Sequence, residues 1–141
     1  MSPIRINHVV LSIVLLYFIA QAALPALSGS LSPKYTIYII NGFSSNQKPL
    51  VIHCWSEDDD LGEHTLWMND DFHFSFRESF TSWTHFWCEM HHDIQKKRID
   101  VYDDEYKRYK CRSTLNCYWL VKEDGFYFSE DHQQWYKVSG W

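Results

Sequence analysis

Short stretches in which apolar and polar residues alternate run along this chain, and polar turn residues separate them. The clearest is DFHFSFR (71–77), where Phe72, Phe74 and Phe76 fall on one side of an extended strand and polar residues fall on the other. The other stretches with strand character are KYTIYIIN (34–41), LVIHCWS (50–56), THFWCEMHH (84–92), RIDVYD (98–103), CYWLVK (117–122), FYFS (126–129) and WYKVSGW (135–141). About eight short strands at roughly ten-residue spacing predict an all-β sandwich or barrel.

The first residues follow a different pattern. Arg5 precedes an apolar run over 9–20, and an Ala-Gln-Ala triplet of the small-x-small form ends at Ala22. A membrane-spanning helix needs about 20 apolar residues, and this run is shorter. We therefore expect a secretory signal peptide over 1–22, with an uncleaved signal anchor as the alternative.

The remainder of the chain is long enough for one domain. We expect a flexible, Ser- and Pro-rich N-terminal tail over 23–33 and a single domain over 34–141. No other apolar run approaches membrane length, so the sequence predicts a secreted, extracellular protein that does not insert into the membrane after signal cleavage.

The charge of the chain bears on its partners. The formal net charge is −5, and the single basic cluster, QKKR (95–98), predicts a hairpin turn between two strands. Phosphate neutralisation by basic residues supplies most non-specific affinity for nucleic acids, so this composition argues against a nucleic-acid partner.

The four cysteines all follow the predicted signal peptide, at Cys54, Cys88, Cys111 and Cys117. An even number of cysteines in a small secreted chain predicts two disulfides. Four cysteines allow three pairings, and the spacing does not choose among them.

The segment HCWSEDDDLGEH (53–64) is dense in side chains that bind metals or transfer protons. Its spacing does not fit a helix-flanked calcium loop, and the chain has no zinc-type pairing of cysteines or histidines, although a looser calcium site remains an alternative. We favour a solvated acidic turn in which Gly62 takes a positive φ, and we expect no metal or cofactor. The acidic residues that this turn offers to a partner are Glu57, Asp58, Asp59 and Asp60.

Nothing in the chain brings together a nucleophile, a base and an oxyanion donor, so we do not expect an enzyme. A small secreted hydrolase that uses histidines, as ribonucleases do, is the alternative from that class. A cell-wall carbohydrate-binding module is a second alternative, because Trp55, Trp83 and Trp87 lie off the predicted core face.

The mixed-charge stretch DDEYKRYK (103–110) is the most polar long loop that the pattern predicts. Loops on a rigid scaffold carry much of partner specificity, so this stretch is a second candidate partner-binding loop. Its candidate residues are Asp103, Asp104, Glu105, Lys107, Arg108 and Lys110.

Several of these stretches, in this order, resemble the plant self-incompatibility S-protein homologue family. The stretches are YIIN (38–41), LVIHCWSEDDDLGEH (50–64), FHFSFR (72–77), THFWCEM (84–90), IDVYD (99–103) and CYWLVKEDGFY (117–127), with Cys111 before the last. His85 is a departure, since the family motif usually has an apolar residue at that position.

The resemblance implies a disulfide-bonded β-sandwich of two antiparallel sheets. It also implies an extracellular ligand for cell–cell recognition that binds a cell-surface receptor protein through its loops, as the pistil self-incompatibility determinants of the family do. It brings no catalytic residues, and it leaves the receptor, the oligomeric state and any role in self-incompatibility open for this chain.

Overall fold

The computed structural model describes residues 7–28, 32–105 and 111–141. The chain divides into two compact units, Met1–Ser32 and Pro33–Trp141. The first contains one helix, α1 (His8–Ser28). The strands of the second are β1 (Lys34–Asn41), β2 (Leu50–Trp55), β3 (Asp60–Leu66), β4 (Asp71–Arg77), β5 (His85–His92), β6 (Gln95–Asp103), β7 (Asn116–Lys122), β8 (Gly125–Ser129) and β9 (Tyr136–Ser139).

Helix α1 continues through Ala22, the predicted cleavage position, to Ser28. It therefore includes the first part of the segment 23–33, for which the sequence predicts a flexible tail. Apart from Pro25, which disfavours a helix interior, the residues of 22–27 are alanine or leucine, which have high helix propensity. Within the described residues, no helix combines the length and the hydropathy that crossing a membrane requires.

The strands form two sheets, as predicted for an all-β sandwich. One sheet has the order β4-β1-β7-β8-β9, and the other has the order β3-β2-β5-β6. Neighbouring strands are antiparallel except for β1 and β7, which pair in parallel, so the five-stranded sheet departs from the antiparallel pattern that the resemblance implies. Because β2 to β6 lie between β1 and β7 in the chain, the connection is long enough to bring them together in parallel.

Each predicted strand has a counterpart, and the structure adds one strand and moves one turn. The added strand is β3 (Asp60–Leu66), whose first residues were predicted to form part of the acidic turn. The turn between β5 and β6 is at Asp93 and Ile94, so the prediction of a turn at QKKR was wrong. These basic residues lie on β6, an edge strand, where lysine side chains oppose pairing with other sheets.

The core fills the space between the sheets with the inward-facing residues of both. Its fully buried side chains include Ile37, Ile39, Leu50, Ile52, Cys54, Cys88, Met90, Val101, Cys117, Trp119, Val121 and Phe126. The Trp119 indole N–H donates a hydrogen bond to the Val101 carbonyl at 3.0 Å, which joins β7 of one sheet to β6 of the other. Burial alternates along β2, β5 and β7, as expected for stretches in which apolar and polar residues alternate.

Two disulfides join the cysteines in one of the three possible pairings. Cys54 and Cys88 are directly opposite each other on β2 and β5, with their Cα atoms 4.0 Å apart. Cys111 and Cys117 close a short loop that leads into β7. All four side chains are buried, so both bridges belong to the core.

We expect the two disulfides to stabilise the fold unequally, because they close loops of different length. The sequence separations are 34 and 6 residues, for which loop-closure entropy predicts stabilisation of about 4 and about 2 kcal/mol. Urea unfolding followed by circular dichroism should therefore show a larger loss for Cys54→Ala/Cys88→Ala than for Cys111→Ala/Cys117→Ala. A larger loss for the second variant would contradict this account.

Candidate functional site

Three exposed connections meet at one end of the sandwich. In the antiparallel sheet β3-β2-β5-β6, β2 and β6 end where β5 begins. The turn after β2, the loop before β5 and the first residues after β6 are therefore neighbours. We call this surface the acidic–aromatic end and define it as residues 56–59, residues 79–84 and Asp104.

The turn at 56–59 is closed by its own backbone and one serine. The Ser56 N–H donates to the Asp59 carbonyl at 2.9 Å, and the Asp59 N–H donates to Ser56 Oγ at 3.0 Å. The side chains of Glu57, Asp58 and Asp59 are exposed. Their carboxylates make none of the hydrogen bonds or ion pairs found among the described residues.

Asp60 has a different role from the three acidic residues before it. Its Oδ1 lies 2.5 Å from His53 Nε2 and accepts the Gly62 N–H at 2.8 Å. The hydrogen bond with His53 is the main reason why the pKa of Asp60 lies below its ordinary value. Gly62 has a φ of 77°, as the sequence predicts. The Asp60 carboxylate therefore holds the start of β3 beside an irregularity in the β2–β3 pairing.

The second candidate partner-binding loop, residues 103–110, begins with a residue that is buried. Asp103 is the last residue of β6, pairs with His85 in the sheet and is 4% exposed, so it is not the surface loop residue that the sequence predicts. The strand continues to this residue because β5 and β6 are paired along their whole length. Asp104 and Glu105 are more accessible, whereas Lys107, Arg108 and Lys110 lie outside the described residues.

The loop at 79–84 carries two exposed aromatic side chains. Phe80 is 75% exposed and Trp83 is 66% exposed. Two hydrogen bonds to Thr84 shape the loop, since the Ser79 N–H donates to Thr84 Oγ1 at 3.2 Å and the Asp104 N–H donates to the Thr84 carbonyl at 3.0 Å. Trp83 was a candidate from the sequence. Phe80 was missed because it lies outside every alternating stretch.

A shallow cleft of about 170 Å³ separates the acidic turn from this loop. The acidic residues Glu57, Asp58 and Asp59 line this cleft together with Trp83. Arg77, at the end of β4, contributes a positive charge to the lining. The cleft thus has exposed carboxylates and an exposed indole in one lining.

The loop is anchored to the core through Tyr102. This side chain is fully buried, and its hydroxyl donates a short hydrogen bond to Glu78, the residue before the loop. Burial is the main cause that raises the pKa of Tyr102 far above its ordinary value, and the neighbouring Glu78 carboxylate adds to it. The tyrosine therefore stays protonated and keeps donating to Glu78.

The histidines that could support catalysis do not converge. His53 pairs with Asp60, His91 lies 3.2 Å from Glu89, and His64 stacks on Phe72 with a ring separation of 3.8 Å. Ile52 is opposite His64 and faces the core, so His64 lies on the other face of the sheet from His53. Among the described residues, no group of three potential ligands is placed to hold a metal ion.

The outer face of β2, β5 and β6 carries a continuous stack of flat side chains. His53 stacks on Trp55 at 4.2 Å, Trp55 and Trp87 are 6.4 Å apart, and the Arg98 guanidinium lies 4.7 Å from the Trp87 ring centre. A sugar-binding platform needs free aromatic faces, whereas His53 stacks on Trp55 and the Arg98 guanidinium lies over Trp87.

Comparison with known proteins gives consistent results. A family model for plant self-incompatibility protein S1 matches residues 36–141. Self-incompatibility protein S1 of Papaver rhoeas is 36% identical over 110 residues, which cover 77% of this chain and 78% of that protein. S-protein homolog 7 of Arabidopsis thaliana is 30% identical over 130 residues, which cover 91% and 96% of the two chains.

A solved structure has the same fold. It is a self-incompatibility protein homologue from a family described as widespread, small, highly stable, secreted proteins from plants. The TM-score is 0.59 at 18% identity, and the alignment covers 79% of this chain and 96% of the other.

We expect Tyr102→Phe to lower the free energy of unfolding by about 1–2 kcal/mol near neutral pH, because a buried hydrogen bond to a carboxylate is lost. The folded-state pKa of Tyr102 is raised above its ordinary value of 10.0, so its contribution is complete below that pH and is lost as the pH rises further. The difference between wild type and variant should therefore stay constant up to about pH 9 and narrow as the pH rises above 10.0.

Denaturant unfolding at several pH values measures this difference. Tyr136→Phe is the matched control, because Tyr136 is 52% exposed and should show little change at any pH. A difference for Tyr102→Phe that stays constant as the pH rises above 10.0 would exclude the proposed link to the tyrosine proton.

Proposed function

Because the chain belongs to the plant self-incompatibility protein S1 family, we propose that it acts as a secreted recognition ligand. On this proposal, it binds a cell-surface receptor protein through the acidic–aromatic end, after removal of residues 1–22. The family relationship supports recognition as the general role. The receptor and the binding surface are our own additions.

We choose this surface because the acidic–aromatic end combines exposed carboxylates that have no described partner with exposed aromatic side chains. The carboxylates of Glu57, Asp58 and Asp59 are exposed and make no hydrogen bond or ion pair with the described residues, and Phe80 and Trp83 are exposed beside them. Tryptophan is enriched among the residues that dominate binding energy in protein interfaces. Rim carboxylates increase the rate at which a complementary partner associates. Together these features fit a protein partner.

A histidine-based hydrolase has weaker support. Proton transfer requires an acid and a base within hydrogen-bond reach of one substrate atom. Here His53 and His91 each face their own carboxylate, and His64 lies on the opposite face of the sheet. We therefore propose a ligand and not a catalyst.

A carbohydrate-binding module also has weaker support. The outer face of the five-stranded sheet also carries a row of stacked rings. Tyr38 and Tyr118 are stacked at 4.9 Å, and Tyr118 and His132 are stacked at 4.7 Å. Rings at these separations cover one another's faces. A flat sugar ring therefore has no open aromatic face on this row.

Charge reversal at the acidic turn tests this proposal. We expect Asp58→Lys/Asp59→Lys to reduce saturable binding of the labelled secreted protein to plant plasma-membrane vesicles by about tenfold or more, since interface charges steer association and select partners. The melting temperature should stay within a few degrees, because surface substitutions away from special contacts usually change stability by about 0.5 kcal/mol or less.

The matched control is Glu63→Lys/Glu130→Lys, which reverses two exposed or half-exposed carboxylates outside the acidic–aromatic end and should bind as the wild type does. Prior protease treatment of the vesicles should abolish binding. Binding that survives protease, or turnover of RNA or polysaccharide without saturable binding, would reject a receptor ligand.

A further inference from the structure

The charged side chains that line the cleft at the acidic–aromatic end indicate what kind of ligand group it can bind. Its lining includes three carboxylates, from Glu57, Asp58 and Asp59, against the single guanidinium of Arg77. Several other outward carboxylates of the strand domain have partners, such as Asp100 with His85 at 2.9 Å and Asp124 with Lys137 at 2.9 Å. The excess negative charge at the cleft is therefore not balanced by its described lining.

The lining of the cleft also includes an aromatic side chain, Trp83. Trp83 makes no ring contact or cation–π contact with another described side chain and is 66% exposed. Two other outward tryptophans differ, since Trp55 stacks against His53 and the Arg98 guanidinium lies over Trp87. A cation over a tryptophan face is attracted by the ring, and tryptophan is the best aromatic residue for this contact.

The size of the cleft limits the ligand further. Sites for drug-sized molecules have volumes of about 300–1,000 Å³, and this cleft of about 170 Å³ is smaller. The three carboxylates are also not placed as metal ligands, since the described residues contain no group of three that could hold a metal ion. One long side chain of a partner protein fits both limits.

We propose that this cleft receives an arginine side chain from a basic segment of the receptor. The guanidinium forms paired hydrogen bonds with a carboxylate and stacks its flat face on an aromatic ring. A lysine ammonium lacks both the fork and the plane, so arginine is preferred. The Arg98–Trp87 pair shows the same guanidinium–indole contact elsewhere on this sheet.

This inference rests on the proposed receptor-ligand function and specifies the chemistry of the same surface. Asp58 and Asp59 provide the acceptors, Trp83 provides the face, and the Tyr102–Glu78 hydrogen bond holds the loop that carries Trp83. A receptor segment with an acidic or neutral residue in place of this arginine would leave the carboxylates of Asp58 and Asp59 unpaired.

A peptide titration tests the inference. The probe is the capped peptide Gly-Ser-Arg-Ser-Gly, added to the ¹⁵N-labelled protein secreted by yeast, and the readout is the ¹H–¹⁵N spectrum. The Trp83 indole signal is identified by its absence in Trp83→Phe. We expect the peptide to shift this signal and the amide signals of residues 57–59.

The matched peptide replaces arginine with citrulline, which keeps the shape and removes the charge. We expect the citrulline peptide to bind more weakly than the arginine peptide by a factor of up to about five, which is the scale of an exposed charge contact. The lysine peptide should bind between these two, and a glutamate peptide should leave the Trp83 signal unchanged.

The protein variants locate the contact. Asp58→Asn/Asp59→Asn should lower the affinity for the arginine peptide to the affinity that the wild type has for the citrulline peptide. Glu63→Gln/Glu130→Gln removes the same number of carboxylates outside the cleft and should bind as the wild type does. A dispersed spectrum matching that of the wild type shows that each variant is folded.

Two results overturn the inference. One is equal shifts with the arginine and citrulline peptides, and the other is an arginine effect that maps away from residues 57–59 and Trp83. If vesicle binding in the same preparations still depends on Asp58 and Asp59, the receptor-ligand function stands and only the arginine inference fails. If saturable vesicle binding is absent, the proposed function itself fails whatever the peptide does.

Discussion

The pairing register of β2 and β5 is the constraint on which the rest of the strand domain depends. These two strands are the inner pair of the four-stranded sheet, and the Cys54–Cys88 disulfide joins them at directly opposite positions. Side chains on a strand alternate between faces, so a shift of one residue would send every inward side chain outward. The bridge prevents this shift, keeps Ile52 and Met90 in the core, and leaves Trp55 opposite Trp87 on the outer face.

The same register makes the two ends of the sandwich different. At the end opposite the cleft, polar groups bond to one another: the buried Asn41 amide donates to the Leu66 carbonyl at 2.8 Å, and the Glu123 carboxylate accepts two bonds at 2.6 Å from Ser44. The Trp141 indole N–H also donates to the Lys122 carbonyl at 2.9 Å. At the acidic–aromatic end, the carboxylates of the turn at 56–59 are directed to solvent instead. One end therefore closes the fold, and the other is available to a partner.

Alternation within single strands was sufficient to predict most of the fold. DFHFSFR, LVIHCWS and CYWLVK are confirmed as strands, and in each of them every second residue is less exposed than its neighbours. Strand β3 was not predicted because Gly62 and the polar residues around it remove the signal, and a strand at the sheet edge needs less burial. The disulfide pairing and the parallel β1–β7 contact depend on which strands become neighbours. A pattern read along the chain does not contain that information.

The candidate site was predictable only in part, for a related reason. The acidic turn was visible as a run of carboxylates, but Asp60 is bonded to His53 and Asp103 is buried, and both facts arise from sheet pairing. The meeting of residues 56–59 with Trp83 likewise depends on strand order. The proposed recognition residues Glu57, Asp58 and Asp59 contribute exposed carboxylates and nothing to the buried core. Substitutions there therefore leave the disulfides, the Trp119–Val101 hydrogen bond and the Tyr102–Glu78 anchor in place.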